Sequence, residues 1–389
     1  MIALILFWIS VSVLIHTYLL YPVLLEILAR RKSPNKTLYD SVDELPVVSV
    51  LMAVYNEQDV ISEKIQSITD NKLPGNKLEI LIGSDASTDN TNIILSGLAS
   101  SNSILKCLLF ESRRGKSSVI NELVKLSGGD ILIITDANVI MNKDTIFHLL
   151  KHFKNKQIGL VDSNMKHRGL KGYGISVQEH AYITREVKIK YREGVIWGTM
   201  MGPSGGCYAL RKELYSEVPS LFLVDDFYIN MKIIKAGYKA IIETEAKVCE
   251  DVSNSLSEEF RRKVRIAAGN FQNLKHFSAS LFSGIRGLSF SFFSHKVLRW
   301  TGPFFMGAIF ISSLWLACES LFFRYIIIVQ LFILTLPLID YLLGKIKIDI
   351  IFLRFITHFL SMNFALLVGF IKFLKGVKSN VWQPTRRNQ

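Results

Sequence analysis

The chain has 389 residues, a net charge of +13 and a mean hydropathy of +0.29, while charged residues make up 20% of it. This mixture indicates a soluble domain joined to apolar segments, and the basic balance fits an anionic membrane surface or bound phosphates better than nucleic acid. The cysteines are scattered without a CxxC pair, which argues against a disulfide framework or a structural zinc site and fits a reducing compartment. They are Cys107, Cys207, Cys249 and Cys318.

The amino-terminal stretch predicts a membrane anchor. Residues 2–28 are nearly all apolar and are followed by Arg30, Arg31 and Lys32. No basic region precedes this stretch and no small-residue cleavage site follows it, so residues 1–29 read as a transmembrane anchor and not as a cleaved signal peptide. The basic cluster places the next domain in the cytosol by the positive-inside rule. Residues 30–45 are predicted to be a basic linker.

Strands alternate with helices over the following stretch, which predicts an α/β domain with a doubly wound parallel sheet. The run at 131–134 is continuously apolar, as expected of a strand buried on both faces. The predicted strands are 47–54, 78–82, 105–110 and 131–134, and the predicted helices are 58–69, 90–98 and 117–126.

Polar side chains follow these strands, so we expect them to gather at the carboxyl edge of the sheet, where ligands bind in open α/β sheets. Asp136 and Asn138 stand one residue apart, and extended backbone would direct both to the same side. Two oxygen ligands placed in this way suit a divalent cation that holds a diphosphate. The alternative is an ordinary Asp/Asn turn after the strand.

Seven short motifs occur in order and together resemble those of family 2 glycosyltransferases with the GT-A fold, in the membrane-anchored form related to polysaccharide synthases. The motifs cover about residues 46–270, each is weak by itself, and the resemblance implies a glycosyltransferase domain at residues 46–275. The motifs are Ala53-Val54-Tyr55-Asn56-Glu57, Ser84-Asp85-Ala86-Ser87-Thr88-Asp89, Arg114-Gly115-Lys116, Thr135-Asp136-Ala137-Asn138, Gly202-Pro203-Ser204-Gly205-Gly206-Cys207, Asp225-Asp226 and Arg262-Lys263-Val264-Arg265-Ile266.

The resemblance implies a nucleotide-sugar donor and a Mg²⁺ or Mn²⁺ cofactor. Asp136 and Asn138 would be the metal ligands, although Asn138 departs from the family's usual Asp-x-Asp and offers an uncharged oxygen. A carboxylate suits a pyrimidine N–H or a ribose hydroxyl because it only accepts hydrogen bonds. The implied donor-binding residues are Tyr55, Asn56, Glu57, Asp85, Lys116 and Asp136.

By the same resemblance, Asp226 is the general base that takes the acceptor's proton in an inverting displacement. The pair Asp225-Asp226 also suits the start of a helix, which is the structural alternative. The implied acceptor pocket contains Gly205, Gly206, Asp225, Arg262 and Arg265. Processive family members carry Gln-x-x-Arg-Trp near these arginines, and only the arginine is present here, with Ile266 in the tryptophan's place. A basic helix on a solvated face is the alternative for this stretch.

The carboxyl-terminal third is predicted to be membrane-associated. Residues 276–295 read as an interfacial segment, and 296–318, 321–343 and 350–374 are each long enough to cross a bilayer. Three crossings would put the basic tail, residues 376–389, outside, against the positive-inside rule. Arg354, His358 and Ser361 share one face of the last segment, so it could lie in the interface, be re-entrant or pack against a partner.

The leading hypothesis is an enzyme of the inner membrane, with several spans and a cytosolic catalytic domain. It would be an inverting hexosyl- or N-acetylhexosaminyltransferase that moves a sugar, from a UDP-sugar first of all, to a lipid-linked or saccharide acceptor. Its partners would be membrane lipids and polysaccharide-assembly proteins, and not nucleic acid. The alternatives are a processive synthase that extrudes its product and an inactive membrane scaffold that binds nucleotide-sugar.

Overall fold

The computed structural model describes residues 1–40, 43–71, 73, 77–169, 174–251 and 255–382. Among these residues, eight strands form one sheet in the order β3-β2-β1-β4-β7-β6-β8-β5. The strands are β1 Val48–Val54, β2 Leu78–Asp85, β3 Leu105–Phe110, β4 Ile131–Thr135, β5 Val139–Met141, β6 Ile158–Arg168, β7 Cys207–Arg211 and β8 Lys239–Asp251. We call the unit from β1 to β8 the sheet domain.

The first four strands are parallel, as predicted. β1 and β4 are buried along their whole length, which explains why their sequences are continuously apolar. The expectation of a wholly parallel sheet is wrong, because β7 runs antiparallel to both β4 and β6, and β5 runs antiparallel to β8. The α/β class is confirmed, and the mixed sheet brings the loop before β7 to the carboxyl end of β4.

Helices cover both faces of the sheet and continue beyond it. α3 illustrates how a helix packs on the sheet, because Ile61, Ile65 and Ile68 recur on one helical face and are buried against the sheet. The helices are α1 Ile2–Ile15, α2 Tyr21–Ala29, α3 Ile61–Thr69, α4 Thr91–Ser101, α5 Lys116–Leu126, α6 Thr145–Leu150, α7 Ser176–Trp197, α8 Asp225–Lys235, α9 Leu256–His276, α10 Leu288–Ser291, α11 Leu298–Trp300, α12 Gly302–Leu316, α13 Leu321–Lys345 and α14 Ile351–Leu374.

By length and composition, three described helices could cross a membrane: the continuous helix Ile2–Ala29, α13 and α14. A fourth crossing would have to combine Leu288–Trp300 with α12 across a 58° bend. The predicted span 296–318 therefore contains this bend, which lies between Trp300 and Gly302. Pro303 supplies no N–H and disfavours helical backbone before it, and the Lys296 ammonium pairs with Glu186 of α7 at 3.3 Å.

The predicted interfacial segment is amphipathic. Its buried side chains join the core of the sheet domain, and its exposed side chains face away from that core, as a segment at a membrane surface requires. The buried residues are Phe277, Leu288 and Phe292, and the exposed ones include Phe282, Phe290 and Phe293.

Candidate functional site

The turn after β4 and the glycine loop before β7 lie side by side. The Asp136 N–H donates to the Gly206 carbonyl at 3.0 Å, and the Thr135 hydroxyl donates to the same oxygen at 2.9 Å. These bonds continue the antiparallel pairing of β4 with β7 beyond the end of the sheet. The structure therefore brings together the predicted metal ligands and the predicted pocket glycines.

Asp136 and Asn138 lie in a tight turn and not in extended backbone, because the Val139 N–H donates to the Asp136 carbonyl at 3.3 Å. The two side chains consequently have different partners. Asp136 Oδ1 accepts from Lys116 Nζ at 2.7 Å, and Asn138 Nδ2 donates to Glu250 Oε1 at 2.9 Å. The expected extended alternation is wrong, since a short turn joins β4 to β5.

Lys116 is the first residue of α5 and its ammonium points to the carboxylates of the site. Gly115 precedes it with φ +82°, a left-handed conformation that favours glycine and turns the chain into the helix. Burial by itself would lower the pKa of Lys116, but Asp136 and Asp225 outweigh burial and raise that pKa. Lys116 is therefore a permanent cation beside Asp136.

Asp85 ends β2 and holds the loop that leads to Lys116. Its fully buried carboxylate accepts hydrogen bonds from Arg113 Nε at 3.1 Å, from the Arg114 N–H at 2.6 Å and from the Gly115 N–H at 3.1 Å. One of the carboxylate's four acceptor positions remains. The structure thus gives Asp85 a role that the motif did not predict, and its nucleoside contact stays a prediction.

Asn56 joins the loops that follow β1 and β2. It has a positive φ of 52°; its side-chain oxygen accepts the Thr88 N–H at 2.8 Å, and its own N–H donates to Ser87 Oγ at 3.1 Å. The neighbouring Glu57 N–H donates to Thr91 Oγ1 at 2.9 Å. Both residues therefore lie in the loop after β1, where the backbone of Asn56 is held by the second motif and that of Glu57 by Thr91 at the start of α4.

Tyr55 carries the guanidinium of Arg113 over its ring, 3.3 Å from the centroid. Arg113 Nη2 also donates to the carbonyl of Trp382 at 2.8 Å, and the rings of Tyr55 and Trp382 meet edge to face at 6.4 Å. Asn380 packs directly on Gly115. The carboxyl-terminal tail thus returns to the predicted donor pocket, an arrangement that the sequence did not predict. The described part of the tail ends at Trp382, and residues 383–389 lie outside the described residues.

Asp225 and Asp226 are the first residues of α8, so the acidic pair does lie at a helix start, as the alternative interpretation predicted. Asp226 Oδ1 accepts the Phe227 N–H at 2.7 Å. A β-carbon on Gly205 would lie 2.7 Å from Asp226 Oδ2, so the glycine makes room for this carboxylate. Burial, followed by the charge of Asp225, raises the pKa of Asp226 to about 7. Asp226 is therefore poised to exchange a proton near neutral pH.

These features coincide with a match to the family described as "Glycosyl transferase family 2" over residues 49–218. This part of the chain is a family 2 glycosyltransferase domain. The mannosyltransferase PcManGT from Pyrobaculum calidifontis, solved in complex with GDP-Man and Mn²⁺, has the same fold. It superposes with a TM-score of 0.72 at 22% identity, over 95% of this chain and 99% of that protein.

Relatives of this domain include a polysaccharide synthase and a membrane-lipid synthase. The poly-β-1,6-N-acetyl-D-glucosamine synthase of Staphylococcus aureus is 27% identical over 248 residues, which is 63% of this chain and 59% of the synthase. The β-monoglucosyldiacylglycerol synthase of Nostoc sp. is 33% identical over 119 residues, 30% of this chain and 25% of that enzyme. The chain therefore matches about three-fifths of the first relative's length.

The arginines of α9 behave differently from each other. Arg262 forms an ion pair with Glu259 at 3.2 Å, and Lys263 pairs with Glu179 at 2.7 Å. Burial and the charge of Arg262 lower the pKa of Arg265. The negative charges of Asp225, Asp136 and Asp226 act in the opposite direction. Arg265 is thus a further cation, besides Lys116, that interacts electrostatically with these carboxylates. The alternative of a solvated basic helix is wrong, because Ala267, Ala268 and Phe271 of α9 are buried.

A divalent cation fits the oxygen donors of this domain. No group of three or more His, Cys, Asp or Glu side chains is arranged for a metal among the described residues. Mg²⁺ and Mn²⁺ in nucleotide sites are commonly held by one or two protein oxygens together with substrate phosphates and waters. The Asp136 carboxylate and the Asn138 amide oxygen would supply such a set. Asp136 Oδ2 forms no hydrogen bond within the described part of the chain.

Two buried lysines were missed at the level of sequence. Lys190 of α7 donates to Asp162 Oδ2 at 2.9 Å and to Ser204 Oγ at 2.8 Å, which secures the loop that carries Gly205. Lys64 of α3 donates to Thr135 Oγ1 at 2.9 Å and to the Val139 carbonyl. A signal for Lys64 existed, because it lies three residues after Ile61 on the apolar face of α3. Lys190 lies in a charge-rich stretch that is typical of an exposed helix.

Proposed function

We propose that this chain is an inverting membrane glycosyltransferase that moves a sugar from a nucleotide-sugar donor to a lipid-linked or saccharide acceptor. The observation that carries the proposal is the carboxylate of Asp226, which lies over Gly205 with its pKa raised to about 7. A base with a pKa near the working pH is efficient because it is largely deprotonated yet still attracts a proton. The match to family 2 over residues 49–218 supports the reaction class.

Asp226 acts as the general base. Its Oδ2 takes the proton of the acceptor hydroxyl while the acceptor oxygen attacks the anomeric carbon and the bond to the diphosphate breaks. A single displacement of this kind inverts the anomeric configuration and needs no covalent nucleophile. Burial, and after it the charge of Asp225, keeps the pKa of Asp226 high. The Phe227 N–H fixes the carboxylate through Oδ1, which leaves Oδ2 for the acceptor.

The leaving nucleoside diphosphate gains negative charge, and Lys116 and Arg265 offset it. Lys116 lies 2.7 Å from Asp136, so the same small region holds the cationic side chain and the carboxylate proposed to bind the metal. When bound by Asp136 and Asn138, Mg²⁺ or Mn²⁺ would supply further positive charge to the diphosphate oxygens. Tyr55, Asn56, Glu57 and Asp85 form the part of the pocket proposed for the nucleoside.

We place the enzyme in the inner membrane with the sheet domain in the cytosol, since Arg30, Arg31 and Lys32 follow the anchor. Cytosolic nucleotide-sugars would reach the carboxyl edge of the sheet directly. A UDP-sugar is the first donor to test, and the named product of the Staphylococcus aureus relative makes UDP-N-acetylglucosamine the first choice among them. The GDP-Man bound to the Pyrobaculum calidifontis enzyme makes GDP-mannose the second.

The test is donor turnover by the detergent-purified full chain. UDP- and GDP-sugars would be offered with Mg²⁺ or Mn²⁺ and membrane lipid extract, and nucleoside diphosphate release would be measured. We expect release from one donor, loss of at least 10²-fold in kcat in Asp226→Asn, which can no longer accept the proton, and unchanged kcat in the exposed control Asp144→Asn. Donor binding without release in any acceptor mixture would instead support the inactive scaffold.

A processive synthase is the second candidate, and the similarity to the Staphylococcus aureus polysaccharide synthase favours it. The two candidates differ in product length. A transferase that adds one unit gives a single product whose mass rises by one sugar at every donor concentration, while a processive enzyme gives a ladder or a polymer. The family's Gln-x-x-Arg-Trp stretch is incomplete here, with Ile266 in the tryptophan's place, so we expect the single product.

A further inference from the structure

The carboxyl-terminal part of the anchor helix is docked on α7. Many side chains of the anchor are exposed, but Tyr21 is buried and packs in one cluster with Ile189 of α7. Arg192 of α7 also forms an ion pair with Glu26 of the anchor at 3.1 Å. The anchor therefore has a fixed position on the sheet domain, which a helix that served only as a tether would not need.

The docked anchor contacts a buried carboxylate of α7. Glu193 is fully buried, and its Oε1 accepts the hydroxyl of Tyr21 at 2.7 Å. His295 Nδ1, in the predicted interfacial segment, lies 2.8 Å from the same oxygen. A buried carboxylate needs hydrogen bonds to offset the loss of water. Here the anchor and the interfacial segment supply them, so Glu193 joins both segments to α7.

The second oxygen of this carboxylate holds the loop before β7, residues 200–206, which we call the glycine loop. Glu193 Oε2 accepts the Met201 N–H at 3.0 Å. Lys190 lies one turn earlier on the same face of α7 and donates to Ser204 Oγ at 2.8 Å. The helix that carries the anchor's contact therefore also holds the glycine loop at two points, and Gly205 directly follows the second of them.

The glycine loop is linked in turn to the helix of the proposed base. Asn230 of α8 donates to the Met200 carbonyl at 2.9 Å, and α8 begins with the acidic pair that contains Asp226. A β-carbon on Gly205 would lie 2.7 Å from Asp226 Oδ2. A displacement of the glycine loop would consequently change the space beside the proposed base.

Two irregular helical turns bring the anchor and the interfacial segment to this carboxylate. The turn His16–Leu20 is π-helical and directly precedes Tyr21, and the π-helical turn Phe292–Val297 contains the histidine that faces Glu193. His16 Nε2 lies 3.0 Å from Ser294 Oγ, so the two turns contact each other. An extra residue in a turn rotates the rest of a helix by about 100°. Such turns are rare and frequently occur at functional sites.

We propose that Glu193 is a positioning residue through which the docked anchor orders the glycine loop, so that full turnover requires the anchor to lie on α7. Its kinetic consequence rests on the transferase reaction proposed above, while the ordering of the loop does not. The anchor is then a structural part of the catalytic site. Catalysis is thereby coupled to the docked, membrane-bound state of the chain.

The first test is hydrogen exchange, measured by mass spectrometry on the detergent-purified full chain. Tyr21→Phe removes one hydroxyl from the anchor, and Glu193→Gln replaces one acceptor oxygen by an NH₂ group. Loss of a hydrogen bond to a charged group should raise the local opening of residues 200–206 by about 10-fold. We expect faster exchange there in both variants, and unchanged exchange in residues 55–57, which lie on the loop after β1.

Tyr18→Phe is the matched control for the anchor. Tyr18 lies about one turn before Tyr21, and its ring meets that of Phe359 of α14 at 5.5 Å. We expect the glycine loop of this variant to exchange at the wild-type rate. Wild-type exchange of the loop in Tyr21→Phe would overturn the proposal, and so would equal acceleration in the Tyr18→Phe control.

The second test is steady-state kinetics with the donor that the wild-type chain turns over. We expect kcat to fall by about 10-fold in Tyr21→Phe and about 10²-fold in Glu193→Gln. Donor affinity should stay unchanged, because the proposed nucleoside residues lie on other loops. A general folding defect would instead lower the fraction of protein that binds donor.

The double variant decides whether the anchor acts through this carboxylate. In the Glu193→Gln background, Tyr21→Phe should lower kcat little further, because the two residues are parts of one pathway. Losses that multiply would overturn the proposal. Full kcat in Tyr21→Phe would refute the coupling alone. A wild-type chain without turnover on any donor would refute the transferase function, and hydrogen exchange would then decide whether the anchor orders the loop.

Discussion

The carboxylate of Asp226 and the backbone of Gly205 occupy adjoining space: a β-carbon on Gly205 would lie 2.7 Å from Asp226 Oδ2. Gly205 also has φ +84°, a conformation that costs other residues about 1–2 kcal/mol. The glycine therefore determines where the proposed base can stand. This pairing links the fifth motif of the chain to the sixth through tertiary structure.

Gly205→Ala tests that relationship. The added methyl group pushes Asp226 away from the acceptor, so we expect kcat to fall by about 10²-fold, the usual effect of a misplacement of about 1 Å. Donor affinity should change little, because the nucleoside residues lie on other loops. The measurement is steady-state kinetics beside Gly97→Ala, whose β-carbon meets nothing within 4 Å. An unchanged kcat in Gly205→Ala would remove Asp226 from the proposed role.

The pH dependence of turnover follows from the raised pKa of Asp226. The base works as the carboxylate, so kcat should be low in acid and rise as the pH passes through about 7. Asp225→Asn removes the second cause of the raised pKa and leaves burial, so the rise should move to lower pH. The measurement is kcat against pH for both proteins. A shift to higher pH in the variant would contradict the electrostatic coupling of the two carboxylates.

Asp85→Asn should loosen the loop from Arg113 to Gly115. The substitution replaces one acceptor oxygen by an NH₂ group that faces N–H donors. Loss of a buried, hydrogen-bonded charge lowers the free energy of unfolding by about 2–5 kcal/mol. We expect a lower Tm and weaker donor binding. Glu79→Gln is the matched control, because Glu79 lies at the other end of β2 and accepts from Ser49 Oγ and the Gly128 N–H. That control should lower Tm without changing donor affinity.

Lys64→Met tests how the metal turn is supported. Lys64 is fully buried and bonds to Thr135 and Val139, the residues that flank Asp136–Asn138. Losing a support of this kind typically weakens metal affinity by about 10- to 100-fold. We expect Mn²⁺-dependent binding of nucleoside diphosphate, measured by calorimetry, to weaken while metal-free nucleoside binding is kept. Ile68→Val on the same helix controls for packing, and equal losses with and without metal would show a general structural defect.

The local pattern of the chain was enough for the parallel half of the sheet. Apolar runs such as 131–134 and the repeat of Ile61, Ile65 and Ile68 depend only on neighbouring residues, so β1 to β4 and their helices were predicted within a few residues. The position of polar residues after strands similarly predicted that Lys116 and Asp136 would lie at the same edge of the sheet, and there they form an ion pair at 2.7 Å. The order of the motifs indicated the family to which residues 49–218 belong.

Tertiary structure decided the rest, because it depends on which surfaces meet. The antiparallel entry of β7 places Gly206 against Asp136 and bends the presumed extended segment into a turn. Lys64 becomes a buried support only because its helix packs under that turn. α14 has the composition of a span, yet its contacts with Gly174 and Ala267 keep both of its ends on the domain. Composition records how apolar a helix is, and only its packing determines whether lipid surrounds it or covers one face.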